Sequence, residues 1–422
     1  MSLKLLAQQY LPISPRHLSL LTTDGEDGNP AAVVAMAAAF DPQNRVYFLE
    51  WNNPTDAASF RLTHVRVPGN SSSGSSSSSS TITALTLTRS LDGVIHCVVQ
   101  CATVKGKGKG DTVANAYLYR RTVETNGDDD DDSDNDNYGM GNTGVEVRYR
   151  KMPTAMEDDG RLWTAATRLY RSDGGNSCSG RVMVACGGAN GAGNAVKLLR
   201  LTGTRLSLEQ SLELPALSAF PVLQLREVDG AAAVLALCHH AVLEVDPRLR
   251  PAAAVVRAWK WTPHDPLTAL AVRDNAIVAG TEEGVLVAWD LRTGGSNNNT
   301  NNYINNNCNG AGRRDHHVVD HSDACGAPVT GLHMPHSTTL LSSHADGSVL
   351  LWDRRTAMAT TQTSSTITRR TMDGFRFAAT AAAADVLPPV FAGTPGCVGL
   401  AGEDQLVVVA DESGTISVFA ML

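Results

Sequence analysis

Toward the C-terminus the chain carries one pattern of apolar and polar positions three times. An apolar run meets a polar turn closed by glycine, and a second apolar run then ends on an aromatic residue. The copies are Thr281-Glu-Glu-Gly284-Val-Leu-Val-Ala-Trp289-Asp290, His344-Ala-Asp-Gly347-Ser-Val-Leu-Leu-Trp352-Asp353 and Asp411-Glu-Ser-Gly414-Thr-Ile-Ser-Val-Phe419. Each glycine stands five residues before the aromatic and about 14 after a leucine, Leu270, Leu332 or Leu400. Apolar runs too short for a helix, joined at a glycine that supplies positive φ, predict a β-hairpin. A further run stands upstream of each hairpin, at residues 267–272, 329–334 and 398–401, giving three strands per unit and room for a fourth. Four-stranded units in series are the sequence pattern of propeller blades.

The N-terminal half shows the same grammar with weaker punctuation. Strand-like runs pair at residues 31–39 with 46–51, 81–88 with 94–99, and 181–186 with 196–201, and continue at 220–225, 232–238 and 241–245. These predict about four degenerate blades. With the three clear copies the total is about seven, six or eight being the alternatives. Leu422 follows the third strand of the last unit almost at once. An open ring would expose an unpaired strand edge, so a segment within residues 3–21 is expected to complete the last blade. The competing reading makes residues 3–11 a short helix or tail.

Trp289-Asp290 and Trp352-Asp353 resemble the terminal Trp-Asp of WD40 repeats, and residues 321–353 give the fullest match. The resemblance covers roughly residues 265–420. It implies an all-β fold with a buried hydrogen-bond chain through His321, Ser342, Asp346 and Trp352. The copy around Trp289 has Glu283 and Ala279 at the Asp and Ser positions, and the copy around Phe419 lacks both the Trp and the final Asp. Gly284, Gly347 and Gly414 carry the turn signature.

Composition adds the inserts. A chain of 422 residues exceeds the roughly 300 that seven blades of 40–45 residues require. The excess lies in Ser-, Asp-, Asn- and Thr/Ser-rich stretches at about 69–81, 125–144, 293–314 and 356–372, which lack the apolar surface to offset ordering entropy and are expected to be loop insertions in a single domain. Net charge is −8, yet seven aspartates fall between Asp128 and Asp136, so the remainder is nearly neutral. That balance provides no global basic field for nucleic acid.

No apolar stretch reaches the length of a membrane span, and no signal-peptide core follows the start. The eight cysteines are scattered, several of them in apolar runs, and read as small core residues of a reduced, intracellular protein. Cys97 and Cys101 lack a second pair for zinc, the Asp run departs from a calcium loop at Asn137 and Thr143, and the Gly/Lys stretch around Gly106 does not match a phosphate loop. No nucleophile elbow or other catalytic constellation is legible. The expectation is therefore a non-catalytic scaffold with protein partners, no cofactor, no metal and no small-molecule substrate.

Two finer expectations follow from form. Length and degenerate early blades are similar to the small propellers of the nuclear pore outer ring, which implies the nucleus or nuclear envelope rather than the cytoplasm. Alternatively, Trp289-Asp-Leu-Arg292 and Trp352-Asp-Arg-Arg355 resemble the Trp-Asp-x-Arg ending through which some WD40 proteins join cullin-RING ubiquitin ligases, with Arg292 and Arg355 as forked donors to the adaptor.

Overall fold

The computed structural model describes residues 3–23, 31–38, 41–51, 60–68, 80–104, 112–125, 145–154, 161–170, 178–187, 194–202, 205–214, 221–228, 233–261, 264–291, 317–319, 327–336, 339–353, 378–379 and 396–421. These form seven four-stranded antiparallel sheets. Blade 1 comprises His17–Thr22, Ala32–Ala37, Arg45–Trp51 and Phe60–Arg66; blade 2 Ser80–Arg89, Ile95–Val104, Thr112–Thr125 and Val145–Met152; blade 3 Leu162–Tyr170, Cys178–Gly187, Ala195–Thr202 and Arg205–Glu213. Blade 4 comprises Gln224–Glu227, Val234–Cys238, Ala241–Val245 and Val255–Lys260; blade 5 Leu267–Arg273, Ala276–Thr281, Leu286–Asp290 and His317–Val319; blade 6 Val329–His336, Thr339–His344, Val349–Asp353 and Ala378–Ala379. Blade 7 takes Cys397–Glu403, Leu406–Asp411 and Thr415–Met421 from the C-terminus and Leu3–Tyr10 from the N-terminus.

The first strand of each blade packs beside the first strand of the next, and that of blade 7 returns to blade 1, so the ring is a closed β-propeller. The N-terminal strand runs antiparallel to the last, from Leu3 opposite Met421 to Tyr10 opposite Thr415, with one irregularity between Leu5 and Ala7. The expected closure is thus made by residues 3–10 as a strand rather than a helix. Residues 17–22, which overlap the far end of the range considered for it, form the innermost strand of blade 1. Among the described residues the helical geometry is one short turn at Pro251–Ala253, and no helix is long and apolar enough to cross a membrane.

Strand composition follows position in the blade. Second strands lie between neighbours on both faces, so Ala32–Ala37, Val234–Cys238, Ala276–Thr281 and Thr339–His344 are buried at every residue. The first three read as near-continuous apolar runs instead of alternating ones, whereas Thr339–His344 buries the polar Thr339, Ser342, Ser343 and His344. Outermost strands such as Phe60–Arg66 are largely open to solvent. Seven hydrophobic clusters occupy the seven seams between blades. Phe48 meets Leu87 and Tyr149 between blades 1 and 2, Trp289 meets Leu235 and Trp259 between blades 4 and 5, and Trp51 meets Val408 and Val418 where blade 7 closes on blade 1.

The first of these seams also buries charge. Arg121 Nε lies 3.0 Å from Glu50 Oε1 and its Nη2 lies 3.1 Å from Oε2. Tyr149, stacked on Phe48 at 3.7 Å between ring centroids, donates its hydroxyl to Glu50 Oε1 at 2.5 Å. Burial and the Glu50 carboxylate hold the Tyr149 phenol well above its ordinary pKa, so it remains a donor.

Candidate functional site

Two polar arrangements stand out in this frame, one inside blade 6 and one around the central channel. In blade 6 the Trp352 indole Nε1 donates to Ser342 Oγ at 3.0 Å, and Ser342 Oγ lies 2.9 Å from His344 Nε2. His344 Nδ1 stands 3.2 Å from the Ala327 carbonyl. A carbonyl only accepts, so Nδ1 carries the proton and Nε2 accepts from the Ser342 hydroxyl; every group in the relay is satisfied with a neutral imidazole. Ser342 and His344 are two residues apart on one strand and therefore share a face.

The sequence reading gives the histidine role to His321. That residue lies outside the described residues, and the imidazole that meets Ser342 is His344. Asp346 sits in the following turn, where its Oδ1 accepts from the Ser348 amide at 2.9 Å and the Ser348 hydroxyl at 2.7 Å. Asp353 pairs with Thr339 in the strand register, as Asp290 does with Ala276 and Phe419 with Val407. Gly284, Gly347 and Gly414 adopt φ of +87°, +89° and +90°, the conformation for which the turn selects glycine. Arg292 and Arg355 lie outside the described residues, as do most residues of the four inserts.

One shared feature escaped the sequence reading. The residue that opens each copy, Thr281, His344 or Asp411, is fully buried and polar. Thr281 Oγ1 accepts from the Val285 amide at 2.9 Å and Asp411 Oδ1 from the Thr415 amide at 2.8 Å, so unlike side chains brace the same hairpin. The signal was a polar residue at the first position of all three copies.

The blade 6 relay yields an expected result. Trp352→Phe keeps the ring in the seam but removes the donor, and should lower unfolding free energy by about 1–3 kcal/mol, read as a lower denaturant midpoint at unchanged slope. An unaltered midpoint would mean that the bond contributes nothing.

The innermost strands are joined across blade boundaries by side chains. Ser19 Oγ accepts from the Leu87 amide at 2.9 Å and Thr268 Oγ1 donates to the Val329 carbonyl at 2.6 Å, while Gln100, on the second strand of blade 2, accepts at Oε1 from the Trp163 amide of the innermost strand of blade 3 at 2.5 Å. Where these strands end, on the face carrying the turns to the second strands, the charged groups gather. Arg168 of blade 3 crosses to blades 1 and 7: Nη1 donates to the Leu20 carbonyl and Nη2 pairs with Glu403 Oε1, both at 2.5 Å. Glu403 Oε2 accepts from the Thr22 amide at 2.8 Å.

In blade 4, Gln224 and Arg226 face one way and clamp the Leu270 backbone of blade 5, the amide by Gln224 Oε1 at 2.7 Å and the carbonyl by Arg226 Nε at 3.2 Å. His333 of blade 6 donates Nε2–H to the Asp404 carbonyl of blade 7 at 3.1 Å. A Cβ at Gly402 would overlap the His333 ring, so glycine is required for this approach.

Burial lowers the His333 pKa to about 4, with Arg226, Arg273 and His336 adding repulsion. Burial also lowers the His344 pKa, and that of His17, whose second depressing influence is Arg16. All three imidazoles are depressed from an ordinary value of 6.5 and stay neutral in the folded protein. The unfolded chain therefore binds more protons in acid: their contribution is present above about pH 6.5 and declines as pH falls toward the folded values, near 4 for His333. The thermal midpoint should fall on acidification from neutrality to pH 5, and His344→Gln should flatten part of that slope. A midpoint independent of pH over this range would contradict the neutral assignment.

No protein-family model matches the chain, and comparison with curated proteins finds no match. The seven-bladed ring is consistent with a WD40-like propeller. Five cysteines, Cys97, Cys101, Cys186, Cys238 and Cys397, are free and buried. Burial pushes the thiols of Cys101 and Cys238 up to about 11 and that of Cys397 to about 12, which removes thiolate reactivity at neutral pH.

Proposed function

We propose that this propeller is a non-catalytic, WD40-type scaffold that holds protein partners within a larger intracellular assembly. The observation that carries the reading is the closed ring itself. Every blade is fixed to its neighbours by an apolar seam, and closure comes from the chain's own N-terminal strand. Such a frame presents two faces and a rim without changing shape. Leu5 and Tyr10 in blade 7, Leu62 in blade 1, Leu208 in blade 3 and Val256 in blade 4 are exposed apolar residues on outermost strands, where a partner could cover them.

Within that reading we place the protein at the nuclear envelope, as an outer-ring subunit of the pore. The second reading, a substrate receptor of a cullin-RING ligase, rests on the two Trp-Asp-x-Arg endings at residues 289–292 and 352–355. Affinity purification of the tagged full chain with mass spectrometry, beside fluorescence imaging of the same tag, separates them. A nuclear-rim signal with large helical scaffold proteins supports the pore reading. Cullin and adaptor subunits, lost on Arg355→Ala, support the ligase reading. Recovery of the chain alone would overturn both and the scaffold role with them.

A further inference from the structure

The outer corner where blade 3 meets blade 4 carries an excess of arginine. Arg181, on the second strand of blade 3, stands directly opposite Arg200 on the third, and Arg205 on the fourth stands opposite Thr202. Opposed residues share a face of a sheet, as do residues two apart on one strand, so the three arginines lie on one face. That face is turned toward blade 4, because Met183 and Leu198, the next opposed pair on it, pack in the cluster between blades 3 and 4. All three arginines are exposed. The adjoining turn of blade 4, between its third and fourth strands, adds two more. Its ends are tied by the Asp246 amide donating to the Ala254 carbonyl at 2.8 Å, and Ala254 is buried in the same cluster. Within it Asp246 Oδ1 accepts from the Arg248 amide at 2.9 Å, and the Leu249 amide donates to the Asp246 carbonyl at 3.2 Å. Arg248, Leu249 and Arg250 are thereby held outward, with Leu249 40% exposed. Two carboxylates belong to this group and each is already engaged, Glu209 by Arg181 at 2.7 Å and Asp246 by Arg248 at 2.8 Å. Among the described residues no carboxylate pairs with Arg200, Arg205 or Arg250. Charges that only guard a sheet edge belong on the outermost strand. Arg181 and Arg200 instead lie on inner strands, and like charges directly opposed weaken a sheet.

We propose, resting on the scaffold reading above, that this corner docks an acidic peptide segment of a partner protein, with a bulky apolar residue of that segment seated on Leu249. The charges are complementary: a guanidinium fork matches the two oxygens of a carboxylate, and acidic side chains relieve the Arg181–Arg200 opposition. The blade 4 turn is already ordered by its own hydrogen bonds, so little freedom is lost when a partner covers it. A nucleic acid fits less well. Its phosphates gain nothing from an exposed leucine, and a chain with a net charge of −8 provides no long-range attraction for a polyanion.

The test uses the purified full chain and, as probe, a fluorescent peptide of glutamates flanking one leucine, read by anisotropy. Binding should saturate and weaken as salt is raised, since the arginines are exposed to screening. Arg200→Glu with Arg205→Glu should weaken it on the order of tenfold while melting no lower than the parent. Arg250→Glu, in the other blade, should weaken it several-fold and keeps the test decisive if the first variant fails to fold. Leu249→Ser should weaken binding and leave its salt dependence unchanged. No saturable binding at millimolar peptide, or binding indifferent to both charge reversals, would overturn the proposal. So would equal affinity for a peptide without the leucine or for a single-stranded RNA oligonucleotide, which would make the corner a general polyanion surface. A dimer dispersed by Arg200→Glu with Arg205→Glu in size-exclusion chromatography would assign the corner to a second copy of the chain instead. The scaffold reading fails separately, through recovery of the chain alone on affinity purification. If the charge-reversed chain recovers the same partners in equal amount, that reading stands and this docking surface does not.

Discussion

A chain lacking residues 1–11 is expected to lose its cooperative melting transition and to self-associate, rather than to melt a few degrees lower. Residues 3–10 supply the fourth strand of blade 7, and the Leu11 amide continues the pairing with a bond to the Gly414 carbonyl at 2.8 Å. Their removal uncovers the whole edge of Thr415–Met421, which carries Ile416, Val418 and Phe419 in the core and is a ready template for another strand. It also takes away Leu6 and Leu11, which pack in the cluster between blades 7 and 1, so the seam that shuts the ring is opened.

A point substitution tests the same closure more sparingly. Gly414 has φ of +90°, and a Cβ there would stand 2.5 Å from the Ile13 carbonyl oxygen and nearer still to that of Leu11. Gly414→Val therefore strains the turn and pushes the N-terminal segment off the blade. Gly284→Val, in the equivalent turn of blade 5, is strained in φ but lies in a blade that the N-terminal strand does not close, and should cost less. Size-exclusion chromatography with calorimetry reads both effects. A monomeric truncated chain with a sharp transition would show that the ring does not depend on its N-terminal strand.

What the sequence made legible follows burial. Second strands such as Ala32–Ala37 and Val234–Cys238, apolar at every position, and the glycine turns of blades 5 to 7 could be read directly, and they sufficed for about seven blades and for closure. The third strand of blade 1 was legible as a strand, but Trp51 was not recognised as the counterpart of Trp352. The turn before it has no glycine five residues back and instead places Asn44 at φ +47°. Outer strands such as Arg205–Glu213, with exposed Leu208 among charges, carry no apolar run to detect. The channel groups were invisible for another reason. Arg168, Arg226, His333 and Glu403 come from four blades, and only ring closure brings them to one place. His344 was hidden by its own neighbourhood, because the resemblance asks for a histidine before the first strand and this one ends the second.

The same dependence on assembled neighbours governs the second large effect, in the seam between blades 1 and 2. Glu50→Ala should lower unfolding free energy by about 3–5 kcal/mol, since it strands the Arg121 charge in a buried site and leaves the Tyr149 hydroxyl without its acceptor. The loss belongs to the orphaned partners rather than to the strength of the pair, and that distinction can be measured. Arg121→Met with Tyr149→Phe on the Glu50→Leu background replaces all three polar groups by apolar ones of similar size, and should recover most of the loss. Denaturant midpoints of the single, double and triple variants form the cycle that separates the two contributions. Had the pair been solvated, Glu50→Ala would cost under about 1 kcal/mol and the triple variant would gain nothing over it. If instead the triple variant is as unstable as Glu50→Ala, the network is required for the geometry of the seam itself. Phe48, stacked on Tyr149, would then be held by hydrogen bonding and not by packing alone.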